Sequence, residues 1–537
     1  MAASFLLSDC LEIIFSNLLK EIPNSYTYVS TKEIYSCTLV SRYWCKISTP
    51  LLYAYPFHHL VYSNSYRNCY YECYFKLIRT LLSCIPKSEI KQIKISNTSN
   101  IQKLLSNITF LNKESSYSNI LTSYNYITFI RGIIFHKVLL NLDSNKVIRN
   151  QKLWLPPYIL NNLKDYQLSR ISIPIMKYFV EYLCKHCYNL TTLNFPFVMP
   201  NNYLSNNIIK LLTFNDNNGI NKLTNLKELK FINNENGSKK KSKNLYLALS
   251  NSTCNLSLLY NEGIGTIREA NLLSQFISLQ KNLQHIILSE SKSNSFFGYN
   301  KYYNIVFNSL STQSESLQTL ELKRLTLNKI NEEALNSLCS LKNIKELKLC
   351  SCREINDDLN SWANNLTKLE VLEFDDYYIS PKSEDFLIQL IRSSSNTLTK
   401  LTLNYNISKD DDQLTQQIPF YLHSLIHLEL PKVFPDILIS IFESCTKLIY
   451  LSTILSDDES WDNILRDLGR LIPKNLRKIR FGKMMFSSIE LKFFLEECVN
   501  SNGKLKYIEI TNRNINDEYF NVAKEFDVKL IKVKPGR

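Results

Sequence analysis

The sequence predicts an α/β solenoid of parallel strands behind a small all-α element, and three observations predict it. The first is the phrase Leu-x-x-Leu-x-Leu, with Ile or Phe admitted at the apolar positions. It runs from Leu190, Leu193 and Phe195 through Leu317, Leu320 and Leu322 to Leu505, Ile508 and Ile510. Successive copies from Leu317 to Leu425 start 27, 25, 29 and 27 residues apart, a period that means stacked units rather than one closed core. The second is an amphipathic helical pattern between the phrases, as in Ala334, Leu335, Leu338 and Leu341, or Phe386, Leu387, Leu390 and Ile391. The third is that residues 6 to 53 ignore the repeat and carry apolar residues at helical spacing.

In chain order, the first element spans residues 1–55. Leu7, Leu11, Ile14, Phe15 and Leu18 form a helical stripe with Ser8 or Asp9 as its cap, and Pro23-Asn24 break it. A second helical segment holds Ile34, Cys37 and Leu39, followed by Val40-Ser41-Arg42-Tyr43-Trp44. The turn Leu6-Leu7-Ser8-Asp9, the Ile14-Phe15-Ser16-Asn17-Leu18 helix end and the Val-Ser-Arg-x-Trp run together resemble an F-box. Leu7 stands where that family usually has Pro, and the loop from Lys20 to Ser30 is long. The resemblance implies docking onto the Skp adaptor, and through it a cullin scaffold. The expected face is Leu6, Leu7, Leu11, Ile14, Phe15, Leu18, Leu39, Val40 and Trp44. So short a helical element cannot cover all its own apolar side chains, and an exposed apolar patch marks an interface.

Residues 56–165 read as linker helices grading into degenerate repeats. Phe75, Leu77, Ile78, Leu81 and Leu82 predict a helix ending before Pro86, and Ile90-x-x-Ile93-x-Ile95 an irregular first strand.

Residues 166–537 form the array. Each phrase predicts a short strand whose middle Leu points inward while its two neighbours point away. Leu168-x-x-Ile171-x-Ile173 fits the phrase, Leu256 to Asn261 suggests a strand within the long gap before Leu283, and Leu448 to Leu451 gives a weaker copy. That makes about thirteen strands, or on the order of 60 Å of wall at roughly 4.8 Å per strand. Ser487-Ser488-Ile489-Glu490 has capping-box spacing, and Gly503 supplies the stop of the helix it opens. Strand then helix at this period resembles the leucine-rich repeat, with strands on a concave wall and helices on a convex one. Cys352-x-x-Ile355-x-Asp357 and the Cys187-x-x-Leu190 and Cys445-x-x-Leu448 entries resemble its cysteine-containing subtype.

Composition narrows the function classes. The chain has 537 residues, 45% hydrophobic and 21% charged, which argues against wholesale disorder. Its net charge of +14 comes from scattered lysines in a sequence rich in Asn, Lys, Ile and Tyr, with one compact run at Lys239-Lys240-Lys241 and Lys243. No nucleic-acid partner is therefore expected. Fourteen cysteines are too few for a disulfide scaffold. No apolar run of about 18 residues suggests a membrane span, and no secretory leader is visible. The expected location is cytoplasmic or nuclear, with thiols reduced.

Catalytic constellations are absent from the sequence. Cys184-Lys185-His186-Cys187 has Cys-x-x-Cys spacing but no second pair to complete a zinc site. Ten glycines and seven histidines offer no phosphate loop and no nucleophile with its base. No cofactor and no catalysis are expected. The expected target-binding positions flank the middle residues of the strands: Glu346, Lys348, Glu373, Asp375, Lys400, His427, Glu429, Lys478, Arg480, Tyr507 and Glu509. The resemblance implies the substrate-recognition adaptor of a ubiquitin ligase holding a target protein on this wall. The alternative is a repeat scaffold not coupled to ubiquitination.

Overall fold

The structure, a computed structural model, describes residues 7–20, 32–56, 67–85, 126–134, 150–156, 160, 165–187, 189–197, 223–233, 243–250, 255–291, 302–406, 413–455, 462–482, 486–511 and 515–533. Leu6, the strand expected at Ile90–Ile95 and the lysines 239–241 lie outside the described residues. The chain divides into two compact units, Met1–Gly265 and Thr266–Arg537.

The first unit opens with three helices, α1 (Ser8–Lys20), α2 (Lys32–Thr38) and α3 (Arg42–Leu52), followed by α4 (Arg67–Ser83). Its sheet then starts with β1 (Gly132–Ile134). Two helices follow, α5 (Gln151–Trp154) and α6 (Asp165–His186). The strands β2 (Thr192–Phe197) and β3 (Glu228–Asn233), helix α7 (Lys243–Ser250) and strand β4 (Leu258–Glu262) complete the unit. Strands β1 to β4 pair in parallel in chain order, aligning Leu193, Leu229 and Leu259 across them.

Two sequence expectations change here. The Leu168-x-x-Ile171-x-Ile173 phrase is not a strand but lies inside α6. Leu168, Ser172, Ile175, Phe179 and Leu183 are buried at helical spacing, and that 3.6-residue period overrides the three matching positions. Conversely, β1 forms inside the 56–165 segment at Ile130-x-x-Ile133-x-Phe135, a Leu-free copy of the phrase that the sequence reading passed over, with Ile130 and Ile133 buried and β2 as its partner.

The second unit alternates strand and helix without interruption, the architecture of a leucine-rich-repeat solenoid. Its strands are β5 (His285–Ser289), β6 (Thr319–Lys323), β7 (Glu346–Cys350), β8 (Val371–Tyr378), β9 (Lys400–Asn406), β10 (His427–Val433), β11 (Tyr450–Leu455), β12 (Lys478–Phe481), β13 (Tyr507–Ile510) and β14 (Lys529–Lys532). They pair in parallel in chain order. The helices between them are α9 (Tyr303–Leu310), α10 (Glu332–Cys339), α11 (Asn360–Asn365), α12 (Pro381–Ser393), α13 (Gln413–Tyr421), α14 (Pro435–Ser444), α15 (Asp462–Arg470), α16 (Ser488–Asn500) and α17 (Asp517–Glu525), with α8 (Ile267–Ser278) ahead of β5.

The register explains the repeat. Leu320, Leu347, Leu372, Leu401, Leu428, Leu451, Ile479, Ile508 and Leu530 pair in sequence across nine strands, and all are buried. The first and third apolar residues of each phrase, such as Ile344 and Leu349, are buried beside them. Each fully buried Leu contributes about 1.5–3 kcal/mol, so stability accumulates repeat by repeat. Cysteines finish the joints between repeats. The Cys352 thiol donates to the Leu322 carbonyl at 3.2 Å and the Cys445 thiol to the Leu422 carbonyl at 3.4 Å.

Candidate protein-interaction surfaces

The first surface is built by α1, α2 and α3. Leu11 and Phe15 of α1 are fully buried against Ile34 of α2 and Leu51 of α3, with Cys37, Trp44, Ile47 and Leu52 packed around them. Phe15 meets Trp44 edge to face, ring centroids 5.1 Å apart. Ser41 caps α3 by accepting from the Trp44 N–H at 3.1 Å. The end of α3 is tied to the sheet, since both the Arg131 and Gly132 N–H groups donate to the Ala54 carbonyl at 2.7 and 3.0 Å. Tyr53 stacks on Tyr126 at 4.1 Å, and the Tyr55 hydroxyl bonds the Thr191 hydroxyl at 3.0 Å.

This core divides the expected docking residues. Leu11 and Phe15 are not on a docking face. They are the interior of the bundle, and Trp44 is half-buried against Phe15. Leu7, Ile14, Leu18, Leu39 and Val40 are exposed, Leu7 by 73% and Leu39 by 71%. Ile13, Tyr35 and Tyr43 join them, exposed by 62%, 56% and 41%. The sequence stripe did not separate these because Ile14 sits only about 60° round the helix from Leu11, and Leu18 about 60° from Phe15, at roughly 100° per residue.

The second surface is the strand face of the Thr266–Arg537 unit, where the residues flanking the buried Leu ladder stand. Of the expected positions, Asp375 and Tyr507 are exposed, and Glu346, Lys348, Glu373, Lys400, His427, Glu429, Lys478, Arg480 and Glu509 are half-buried. The register sets all of them but Asp375, which pairs with Cys350 and Asn404, in two rows. One runs Thr319, Glu346, Val371, Lys400, His427, Tyr450, Lys478, Tyr507 and Lys529. The other runs Glu321, Lys348, Glu373, Thr402, Glu429, Ser452, Arg480 and Glu509.

Opposite charges alternate along and between these rows. Lys323 Nζ lies 2.6 Å from Glu321, and Lys348 Nζ lies 2.9 Å from Glu346 and 3.4 Å from Glu373. Lys400 Nζ donates to the other Glu373 oxygen at 2.6 Å. Burial pushes the Glu373 carboxyl up, but the Lys400 hydrogen bond and the Lys348 charge outweigh it, so Glu373 sits below the usual carboxylate range. Lys348 is raised: its carboxylate partners overcome the burial that would lower it. The His427 ring bonds Glu429 at 2.7 Å, which holds that carboxyl down. Further along, Lys478 Nζ pairs with Glu509 at 2.8 Å.

Aromatic rings interleave with the cations. His427 stacks on Tyr450 with centroids 4.3 Å apart, and Lys478 Nζ lies 5.4 Å from the Tyr450 ring on the next strand. In the first unit Lys230 Nζ sits 4.3 Å over Tyr260, again on neighbouring strands. Tyr450 is a surface residue that sequence reading missed, although the signal existed. Its phrase reads Leu448, Leu451, Thr453, and Thr453 fills the third apolar position buried, its hydroxyl donating to the Pro431 carbonyl at 3.0 Å.

The buried repeat thiols act as hydrogen-bond donors. Burial pushes Cys352 up to about 12 and raises Cys445, so both are neutral donors at physiological pH. Cys184 and Cys187 are buried, and the Cys187 thiol donates to the Ile127 carbonyl at 3.8 Å. Among the described residues no group of three or more His, Cys, Asp or Glu is placed to hold a metal, and no helix is long and apolar enough to cross a membrane.

No family model matches the chain, and no curated protein matches it. Among solved structures, it is similar to the leucine-rich repeat-containing protein LegL7 from Legionella pneumophila. Identity is 15%, covering 59% of this chain and 93% of that one, with a TM-score of 0.33.

Proposed function

We propose that this chain is the substrate-recognition adaptor of a Skp-cullin-F-box ubiquitin ligase. Its leading helices hold the Skp adaptor and its strand face holds a target protein. One observation supports this above the others: Leu7, Ile14, Leu18, Leu39 and Val40 stay exposed around a core that Leu11, Phe15, Ile34 and Leu51 have already closed. Apolar side chains left over after a small core is complete are there for a partner. Ubiquitin transfer is catalysed elsewhere in the complex. This chain supplies proximity and orientation, raising the effective concentration of target lysines.

Capture of the purified full-length chain by an immobilised Skp adaptor tests the reading. Wild type binds, and Ile14→Asp combined with Leu39→Asp does not, because both changes place a charge on the exposed patch and leave the core intact. Equal capture of wild type and double variant refutes it. The second reading, an interaction scaffold uncoupled from ubiquitination, is favoured by Leu7 in place of the usual Pro. It predicts no capture of either protein, with targets still held on the strand face.

A further inference from the structure

On the helix side of the Thr266–Arg537 unit, α13 and α14 border an open groove of about 560 Å³. Pro419, Phe420 and Ile437 make its apolar lining, with Ser440 beside them and Asp436 and Glu443 at its two ends. Phe420 is 71% exposed, a large aromatic left in water at the edge of a cavity. The opposite side of α13 is closed differently. There Arg392 donates to Gln417 at 3.3 Å and lies 5.4 Å from the Tyr421 ring. No cation lines the α14 side.

The two acids differ in what their own helix does for them. Asp436 stands in the first turn of α14, where the helix dipole favours negative charge. Glu443 stands in the last turn, which carries no basic residue, so the dipole opposes it. Neither carboxylate has an ion pair among the described residues, and both are exposed. In a chain of net charge +14, an unpaired acid at the wrong end of a helix, next to an uncovered Phe, calls for a cation from outside.

We propose that this groove binds an extended segment of a partner protein in which an aliphatic side chain lies between two basic ones. The spacing follows from the helix. Asp436 and Glu443 are seven residues apart, roughly 10 Å along the axis at about 1.5 Å per residue. In an extended peptide every second residue faces the same way, so the two basic residues and the aliphatic one midway between them sit at alternate positions, about 13 Å end to end at roughly 3.3 Å per residue, and the flexible lysine stems take up the difference. One basic residue lies over each acid, and the aliphatic residue between them covers Phe420 and Ile437.

Fluorescence anisotropy with the labelled peptide acetyl-Ala-Lys-Ala-Leu-Ala-Lys-Ala-amide and the intact chain tests this. Wild type binds saturably, and Asp436→Asn with Glu443→Gln weakens the complex about tenfold, as does Phe420→Ala, each losing on the order of 1.4 kcal/mol. Added salt weakens binding to wild type and leaves the neutral variant little changed. All three side chains are at the surface, so the variants fold. A charge reversal provides the second arm: Asp436→Lys with Glu443→Lys binds the same peptide with Glu in place of Lys, which wild type ignores. The proposal is overturned by equal affinity of wild type and the neutral variant, or by no saturation at millimolar peptide. Dimerisation of the chain that Phe420→Ala abolishes also overturns it, because a second copy then occupies the groove.

Discussion

At the scale of single residues, the strand face is a set of charges that answer one another before any partner arrives. Glu373 serves two lysines from neighbouring strands, Lys348 and Lys400. Replacing it by Gln takes the carboxylate from half-buried Lys400 and leaves Lys348 with Glu346, a loss of about 1 kcal/mol by urea titration at pH 7. Because Glu373 titrates below the unfolded value of about 4.3, its contribution is present above that pH and disappears as pH falls through the lower folded value. The difference between wild type and Glu373→Gln therefore shrinks toward pH 3, and a difference independent of pH would contradict the assignment. His285 also loses stability as pH falls, but for a different reason. Burial holds its ring below the usual value against the nearby carboxylates of Glu321 and Glu346. Its Nε2 is buried without a hydrogen-bond partner. The unfolded chain takes up a proton near pH 6.5 before the folded one does, so stability falls as pH drops below about 6.5. In His285→Gln that decline is missing from the stability profile.

At the scale of one element, α16 shows how closely a helix end is specified. Ser487 accepts from the Glu490 N–H at 3.3 Å, and Glu490 accepts from the Ser487 N–H, the capping box that the sequence spacing predicts. The other end differs from the sequence reading. The left-handed residue is Asn502, at φ 57°, and not Gly503. Gly503 donates to the Cys498 carbonyl at 2.8 Å and Asn502 to the Val499 carbonyl at 3.0 Å, a Schellman closure. Gly503 is needed for space, because a Cβ there would meet the Cys498 oxygen at 2.8 Å and Ile472 Cγ2 at 2.9 Å. Asn502→Gly is accordingly tolerated, while Gly503→Ala costs roughly 1–3 kcal/mol through overpacking. Thermal unfolding of the two variants separates turn chemistry from close packing. The three leading helices carry the same lesson. Their apolar spacing was legible, but which half of the stripe faces inward depends on where α2 and α3 lie. Ile13, Tyr35 and Tyr43 therefore emerged only with the fold.

At the scale of the molecule, the strands were legible wherever the phrase was strict, because three buried positions per repeat leave little freedom. Reading failed where the phrase met a competing period, as at Leu168 inside α6. It also failed at β1, whose phrase Ile130-x-x-Ile133-x-Phe135 holds no Leu, and at β14, whose Val528 and Leu530 lack the leading Leu. Nearest-neighbour stacking predicts how the second unit opens. Among the described residues, strands β6 to β13 are paired on both sides, whereas β14 pairs with β13 alone and its Leu530 is 8% exposed. Native-state hydrogen exchange should find protection highest in β7 to β10 and lowest in β14. Leu347→Ala should cost about 2–5 kcal/mol and Leu530→Ala less. Uniform protection along the unit would mean that it opens all at once.

The doubly engaged carboxylate of Glu373 has a consequence for how such a molecule changes over generations. Losing that acid weakens the pairing of two lysines on different repeats, so an isolated replacement is selected against, while a concerted exchange at 348, 373 and 400 is neutral. When sequences of kindred chains are compared, these three positions should drift together, and repeat units should prove hard to delete or shuffle one at a time across that stretch.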